Sequence, residues 1–306
     1  MNKPILKWVG GKTQIIDKLD FPTDVNNYHE IFLGGGSVLL HVLEKIKNGS
    51  MTVQGTVCAC DANEPLIYVY KNIQCRHNEL FNHLQELINQ FNDCGNGEVN
   101  RSPTNVAEAK LCRENYYYWI RRAYNQLSAT EKKSPLGSAL FIFLNKTCFR
   151  GVFRVGPNGF NVPYGHYKNP AIINKDNMDR VHDLIQGVHF ECCDFVESLS
   201  RVGVCDFVYM DPPYVPEKET SFVGYTENGF NADQHETLFR LTNSLTKDVK
   251  FMMNNADVAL VRSKLGHHNI TPIICRRAIH STNPESKAKE VIITNYSPIQ
   301  ASNVSK

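Results

Sequence analysis

The sequence predicts an α/β fold in which a doubly wound sheet, with helices on both faces, is interrupted by an insertion of roughly a hundred residues. Three observations carry that prediction. Strand-like and helix-like stretches alternate through the first sixty-odd residues and resume near Val188. The first strand-to-helix turn is glycine-rich, at Gly34–Gly36. Three acids, Asp61, Asp194 and Asp211, stand where a strand pattern stops, and the carboxyl ends of strands are where open sheets bind ligands.

Taken in order, "YHEIFLGGGSVLLHVLEKI" reads as a short strand, a tight turn and a periodic apolar helix, and "GTVCACDANEPLI" as a second strand ending in Asp61. Glycines at such a turn let the backbone approach a ligand, and the terminal acid can accept two hydrogen bonds from a ribose diol. The triplet alone is a weak signal, because it lacks both the full GxGxxG spacing and a following GK[ST]. From Tyr68 to about Asn100 the pattern is helical, closing in the polar loop "NDCGNGEVNRSPTN". A further helix, "ENYYYWIRRAYNQL", and the apolar stretch "SPLGSALFIFLNKTCF" follow. "RGVFRVGPNGFNVPYGHYKNP" sets Gly, Pro and Asn between aromatics, the composition of loops or a hairpin. Alternation returns with "GVHFECCDF", "CDFVYMDPPY", a helix from about Ala232, "VKFMMNN" and "EVIITNY". The chain thus divides into residues 1–70 and 171–306, which build the sheet, and a mostly helical insertion at 71–170.

Composition bounds the function. With 42 % hydrophobic and 21 % charged residues in 306, the chain has an ordinary globular balance. No apolar run is long enough to span a bilayer and the amino terminus lacks a signal-peptide core, so an intracellular protein is expected, away from membranes. The ten cysteines are scattered and read as reduced thiols; with no CxxC pair, and with Cys58/Cys60 and Cys192/Cys193 too closely spaced, no metal site is expected. The net charge of +2 conceals an asymmetry: from Arg101 to Asp183 there are 13 Lys/Arg against 6 Asp/Glu. The insertion is therefore the candidate for binding a polyanion.

"CDFVYMDPPYVP" carries the chemistry. Phe207–Met210 has the pattern of a strand buried on both faces, which the paired prolines terminate. An acid at the strand end and a proline carbonyl make two fixed acceptors, with the Tyr214 ring beside them to stack on a planar group. A planar exocyclic amino group fits that arrangement. Its lone pair is delocalised into the ring, and two acceptors on its N–H groups help it pyramidalise and face a sulfonium methyl group held in line. That chemistry requires no metal.

With these residues the chain resembles the Dam-type DNA adenine-N6 methyltransferases, the α-ordered amino-methyltransferases that use S-adenosylmethionine. The similarity spans nearly the whole chain: "KWVGGK" (7–12), "EIFLGGGSVLL" (30–40), "CDANEPLI" (60–67), "FLNKTCFRGVFRVGPNGFNVPYG" (143–165), "DFVYMDPPY" (206–214), "FNADQHETL" (230–238) and "RRAIHSTNPESKAKEVIITNY" (276–296). It implies a Rossmann-like S-adenosylmethionine-dependent methyltransferase sheet, with the insertion acting as target-recognition domain on double-stranded DNA. It also admits a cognate restriction endonuclease as a partner.

By this resemblance Trp8, Gly10 and Lys12 lie against the methionine end of the cofactor; Phe32, Gly34 and Gly36 form its cradle; Asp61 binds the ribose hydroxyls; and Asp194 with Phe195 holds the cofactor adenine. Asp211, Pro212 and Tyr214 carry catalysis on an adenine swung out of the duplex. Arg154 reads a guanine, Phe149 wedges into the base stack, Val152 and Pro163 match positions that meet a thymine methyl, and Lys146, Arg150 and Lys168 contact phosphate or base. Two residues depart from the family pattern: Arg150 stands where relatives often carry Asn, and His166 where several carry Arg or Lys. The expected target is GATC, with CATG as the alternative. Methylation of cytosine N4 or of RNA adenine, and a non-catalytic DNA-binding relative, are the competing functions.

Overall fold

The computed structural model describes residues 2–216, 230–276 and 287–297. Residues 277–286 of the carboxyl-terminal motif lie outside the described residues. Seven strands form the main sheet: β1 (Tyr28–Glu30), β2 (Val57–Asp61), β3 (Val188–Cys192), β4 (Phe207–Met210), β5 (Lys250–Ala256), β6 (Asn269–Arg276) and β7 (Lys287–Thr294). Their spatial order is β3-β2-β1-β4-β5-β7-β6. The first five are parallel, and β7 runs antiparallel to both β5 and β6. This is the doubly wound α/β sheet that the sequence predicts, in keeping with the Rossmann-like sheet that the resemblance implies, and its order reverses between β1 and β4. The crevice above that reversal is where such sheets bind ligands.

The burial pattern explains why β4 reads as an unbroken apolar run. Phe207 and Tyr209 join the hydrophobic cluster on one face of the sheet, and Val208 and Met210 join the cluster on the other. Helix α1 (Ser37–Lys47) follows β1 and buries Val38, Leu39, Leu40, Val42 and Leu43. The long α2 (Glu64–Asn92) follows β2. It starts four residues before the predicted Tyr68, because Asn63 caps it through Leu66 N–H (3.1 Å) and Pro65 is tolerated in a first turn. At Arg76 the backbone leaves helical geometry (φ −142°, ψ 35°), which breaks the straight course of α2.

The insertion adds α3 (Val106–Ala109), α4 (Arg113–Gln126), α5 (Ala129–Lys132) and α6 (Pro135–Thr147). Helix α6 is apolar on nearly every side and is buried against α2 and α4. The aromatic-rich stretch after it is the predicted hairpin in miniature, with Val155–Gly156 paired to Gly159–Phe160. One hydrophobic cluster runs from Tyr28 and Tyr209 of the sheet through Tyr70 to Phe91, Tyr116 and Phe141 of the insertion. Helix α7 (Lys175–Leu184) returns the chain to β3, α8 (Phe195–Ser200) and α9 (Ala232–Ser244) cover the second face, and α10 (Ala259–Leu265) leads into β6. Strand β6 escaped the sequence reading because Pro272 interrupts its pattern; the strand is tolerated because it forms the outer edge of the sheet. No helix of the described residues is long and apolar enough to cross a membrane.

Gly36, the residue before α1, has φ 71°, and a Cβ there would lie 2.5 Å from the Tyr70 hydroxyl. Gly36→Ala is expected to destabilise the fold by more than the ~1–2 kcal/mol of left-handed strain alone. Urea unfolding of Gly36→Ala with and without Tyr70→Phe checks this: the second change removes the clashing hydroxyl and should restore part of the loss.

Candidate active site

Residues from four separate stretches meet above the β1/β4 reversal. After β1 the chain turns through Gly34 (φ 50°) and Gly36 into α1. Asp61, the last residue of β2, accepts the Gly34 N–H at 2.9 Å through Oδ2 and the Asn63 N–H at 2.8 Å through Oδ1. Burial raises its pKa, and those two amides hold it back down. The glycines serve the protein's own packing. A Cβ on Gly34 would sit 2.9 Å from the Trp8 ring, and one on Gly36 would strike Tyr70, whose hydroxyl donates to Gly35 O at 2.6 Å. Packing alone therefore demands glycine here, with the turn pressed between Trp8 and Tyr70.

Phe32 stacks on Phe195 (5.9 Å, 26°), and Phe230 meets both rings at 6.0 and 5.5 Å. The three form an apolar wall suited to a flat heterocycle. Asp194 caps α8 by accepting Glu197 N–H at 2.8 Å, so one carboxylate oxygen has a local structural task.

The first residue after β4, Asp211, meets Lys12 from the amino-terminal segment, 199 positions away in sequence. Lys12 Nζ donates to Asp211 Oδ2 at 2.5 Å and also to Gly10 O, and its own N–H is held by Ser37 Oγ at 3.1 Å. The Lys12 side chain is 5 % exposed and that of Asp211 19 %, so the pair is largely buried. Asp211 Oδ1 is buried and has no hydrogen-bond partner among the described residues. Burial and, less strongly, the Glu290 charge raise the Asp211 pKa, while the Lys12 ammonium and then the nearby Tyr214 hydroxyl oppose the rise. Pro212 is buried beneath the site. The Tyr214 ring lies 5.3 Å from Lys12 Nζ, and its hydroxyl donates to Glu290 Oε2 of β7 at 3.1 Å. Asn255 Oδ1, on β5, accepts Val215 N–H at 3.1 Å and anchors the chain just beyond the tyrosine.

Under these groups lies Glu30 at the end of β1. It is 2 % exposed, accepts the Tyr28 hydroxyl at 2.6 Å, and has its pKa pushed up to about 8, first by burial and then by the Asp211 and Asp61 charges.

The residues predicted to read DNA gather on two crossing segments. Phe149 N–H donates to Pro163 O (2.8 Å), Gly165 N–H to Thr147 O (2.8 Å) and Arg150 N–H to the Tyr167 hydroxyl (2.9 Å). Phe149 is 48 % exposed, with the Arg150 guanidinium 5.1 Å from its ring. Arg150 (φ 57°) and His166 (φ 53°), the two departures noted above, are two of the three non-glycine residues in left-handed conformation among the described residues. Outside glycine that backbone is uncommon, and Asn, Asp and His adopt it more readily than arginine does. Arg154 is exposed at the base of the hairpin, where Asn161 Oδ1 accepts from its Nε at 2.6 Å. Val152 is half-buried, Pro163, His166 and Lys168 are exposed, and Lys146 is a half-buried lysine whose pKa burial lowers to about 8.

This surface is built into the site behind it. Asn145 Oδ1 accepts Lys7 N–H (2.8 Å), and Asn145 Nδ2 donates to Lys7 O (2.8 Å) and to Gly151 O (3.2 Å). Trp8 stacks on Phe153 at 6.0 Å and 23°. A Cβ on Gly151 would strike the Lys7 side chain at 2.5 Å. Sequence reasoning missed Glu30, Lys7, Asn145, Phe230, Asn255 and Glu290. All six lie within or beside stretches singled out above, and what was lacking was the knowledge of which neighbour each one faces.

The family model for D12 class N6 adenine-specific DNA methyltransferases matches residues 8–279. The chain is 34 % identical over 307 residues to the type II methyltransferase M.MjaIII of Methanocaldococcus jannaschii, covering 96 % of this chain and 99 % of that protein. It is 29 % identical over 295 residues to the DNA adenine methylase of Haemophilus influenzae (94 % and 91 % covered), and 27 % identical over 302 residues to that of Escherichia coli K12 (97 % and 96 %).

Glu30 generates a prediction that needs no ligand. The fold holds its proton up to about 8, whereas an unfolded chain releases it near the ordinary 4.5. Between those values the folded state binds the extra proton, so stability falls as pH rises. Thermal unfolding of Glu30→Gln and the parent is expected to give midpoints that are close near pH 5 and diverge towards pH 8, with the variant higher. Parallel curves would show that Glu30 titrates normally.

Proposed function

The chain belongs to the D12 class of N6 adenine-specific DNA methyltransferases, S-adenosylmethionine-dependent enzymes that act on DNA, and we propose that Asp211, Pro212 and Tyr214 receive an adenine turned out of the duplex. The observation that carries this reading is Asp211: one oxygen is held by Lys12 while the other is buried with no hydrogen-bond partner among the described residues. An unsatisfied buried carboxylate oxygen costs free energy unless a ligand donor completes it. An adenine amino group is such a donor.

The cofactor supplies an electrophilic methyl group on a sulfonium. The residues above the β1/β4 reversal suit that molecule: the Phe32/Phe195/Phe230 wall for its base, Asp61 with remaining acceptor capacity for its ribose, and the turn between Trp8 and Gly34–Gly36 for its methionine end. Gly10, with φ 83°, shapes the same segment as Lys12. Asp211 Oδ1 accepts one N6–H and the Pro212 carbonyl the other, which draws the nitrogen towards pyramidal geometry and aims its lone pair. Tyr214, steadied by Glu290, stacks on the base. After transfer the nitrogen carries a surplus proton, and Asp211, its pKa raised by burial, is suited to take it.

Residues 71–170 form the target-recognition part of this reading. Arg154, braced by Asn161, reads a guanine edge; exposed Phe149 enters the stack; Val152 and Pro163 meet thymine methyl; Lys146, Arg150, His166 and Lys168 contact phosphate or flanking bases. GATC is the proposed target. CATG is the alternative, because Arg150 and His166 both depart from the pattern within the proposed reading surface.

Transfer of labelled methyl to duplex DNA, with modified sites mapped, tests the target directly: N6-methyladenine confined to GATC is expected. Asp211→Asn keeps the size of the side chain and should lower turnover by about 10²-fold or more, as loss of one preorganised electrostatic contact does. Lys12→Met should raise the Asp211 pKa further, so the acid limb of the turnover–pH profile moves to higher pH; an unmoved limb would remove Lys12 from the mechanism. Arg154→Ala should cost about 1–3 kcal/mol of discrimination at a single guanine. Equal losses across all base variants would make it a phosphate contact.

A further inference from the structure

Outside the catalytic crevice, the face of the sheet beneath α8 collects ligand-type side chains from β2 and β3. In the parallel pairing Cys58 stands opposite His189 and Cys60 opposite Glu191, so all four point to one face, and Cys193 just beyond β3 completes the group. The sulfurs of Cys60 and Cys193 and a carboxylate oxygen of Glu191 all lie within 4.8 Å of one another. Both cysteines are buried, at 4 % and 7 % exposure, while Glu191 is half-buried and opens the cluster to solvent. The second cysteine of each close pair is brought to the other by adjacent strands. Spacing within either pair could not reveal this.

We propose that Cys60, Cys193 and Glu191 form a binding site for a thiophilic divalent cation, Zn2+ in the cell, with water in the fourth position. In a tetrahedral site with sulfur at about 2.3 Å and oxygen at about 2.0–2.2 Å, the ligand atoms are about 3.5–3.8 Å apart, so the cluster needs only to tighten slightly. Two soft sulfurs and one carboxylate suit zinc and cadmium and reject magnesium and calcium. Groups that orient the ligands are present: the Ser198 hydroxyl hydrogen-bonds the Cys60 sulfur, and Arg201 together with His189 engages the Glu191 carboxylate. Each thiol loses its proton to solvent as the metal–sulfur bond forms. The bound ion would fasten β2, β3 and the start of α8 to one another beside the Asp194–Phe195 turn. It takes no part in methyl transfer.

The test uses the full chain, stripped of metal and kept reduced with a phosphine. Titration with Cd2+, followed by the ultraviolet thiolate–cadmium charge-transfer band, is expected to lose one tight equivalent in Cys60→Ser and in Cys193→Ser but none in Cys75→Ser, an exposed cysteine far from the cluster. Ser198→Ala keeps every ligand and should lower the affinity about 10–100-fold. Zinc-edge X-ray absorption of the unmutated protein at one equivalent should show two sulfur scatterers at about 2.3 Å, a readout independent of whether the cysteine variants fold. Zinc bound with no sulfur in its first shell, or a cadmium band undiminished in both cysteine variants, would overturn the site.

Discussion

The Lys12–Asp211 ion pair is the contact on which the rest of the site depends. It joins the amino-terminal segment to the end of β4 across 199 positions, and both charges are largely withdrawn from water. Burying two charges costs several kcal/mol per ion before their attraction is counted, so such a pair is a poor way to stabilise a fold. What it achieves here is positional. With Oδ2 held on the ammonium, the Asp211 carboxylate cannot rotate freely, and Oδ1 is left buried with no hydrogen-bond partner among the described residues. The free energy given up in leaving that oxygen unsatisfied is recovered when a donor arrives.

A second constraint follows, because Lys12 can hold Asp211 only if its own segment is fixed. Ser37 at the start of α1 takes the Lys12 amide, Trp8 is wedged against Gly34 and Gly35, and Asn145 grips both backbone groups of Lys7. Asn145 is also bonded to Gly151 O, within the stretch that carries Phe149 and Arg154. The amino-terminal segment thus lies between the proposed reading surface and Asp211, touching both. Trp8 does the same through its rings, with the glycine turn on one side and Phe153 on the other.

Much of this was legible in the sequence, and the omissions have physical reasons. The order of strands, the buried run of β4, the acids at the strand ends and the hairpin after α6 all come from local pattern, which one chain displays by itself. The start of α2 was read late because apolar periodicity begins after the cap, although Asn63 and Pro65 are the start signal. Strand β6 was lost to Pro272, whose tolerance depends on an edge that only the assembled sheet defines. The glycines of the turn were read as room for a ligand, and a second demand for them went unseen: their close neighbours are Trp8 and Tyr70, far away in sequence. Glu30 stood in a quoted motif, yet nothing local says that an acid at the end of β1 is sealed beneath two others and holds its proton to about 8.

That buried acid bears on how the crevice works. Three carboxyl groups, Glu30, Asp61 and Asp211, converge at the ends of β1, β2 and β4, and in a low-dielectric crevice three negative charges could not coexist cheaply. The fold resolves the conflict by giving each a different environment. Asp61 is neutralised in part by two backbone amides, Asp211 by the Lys12 ammonium, and Glu30 by keeping its proton beside Tyr28. If Glu30 ionised, its charge would push the Asp211 pKa upward and weaken the very acceptor that Lys12 maintains. A protonated Glu30 therefore belongs to the same device as the ion pair: it removes one negative charge from beneath the crevice so that Asp211 can keep its own.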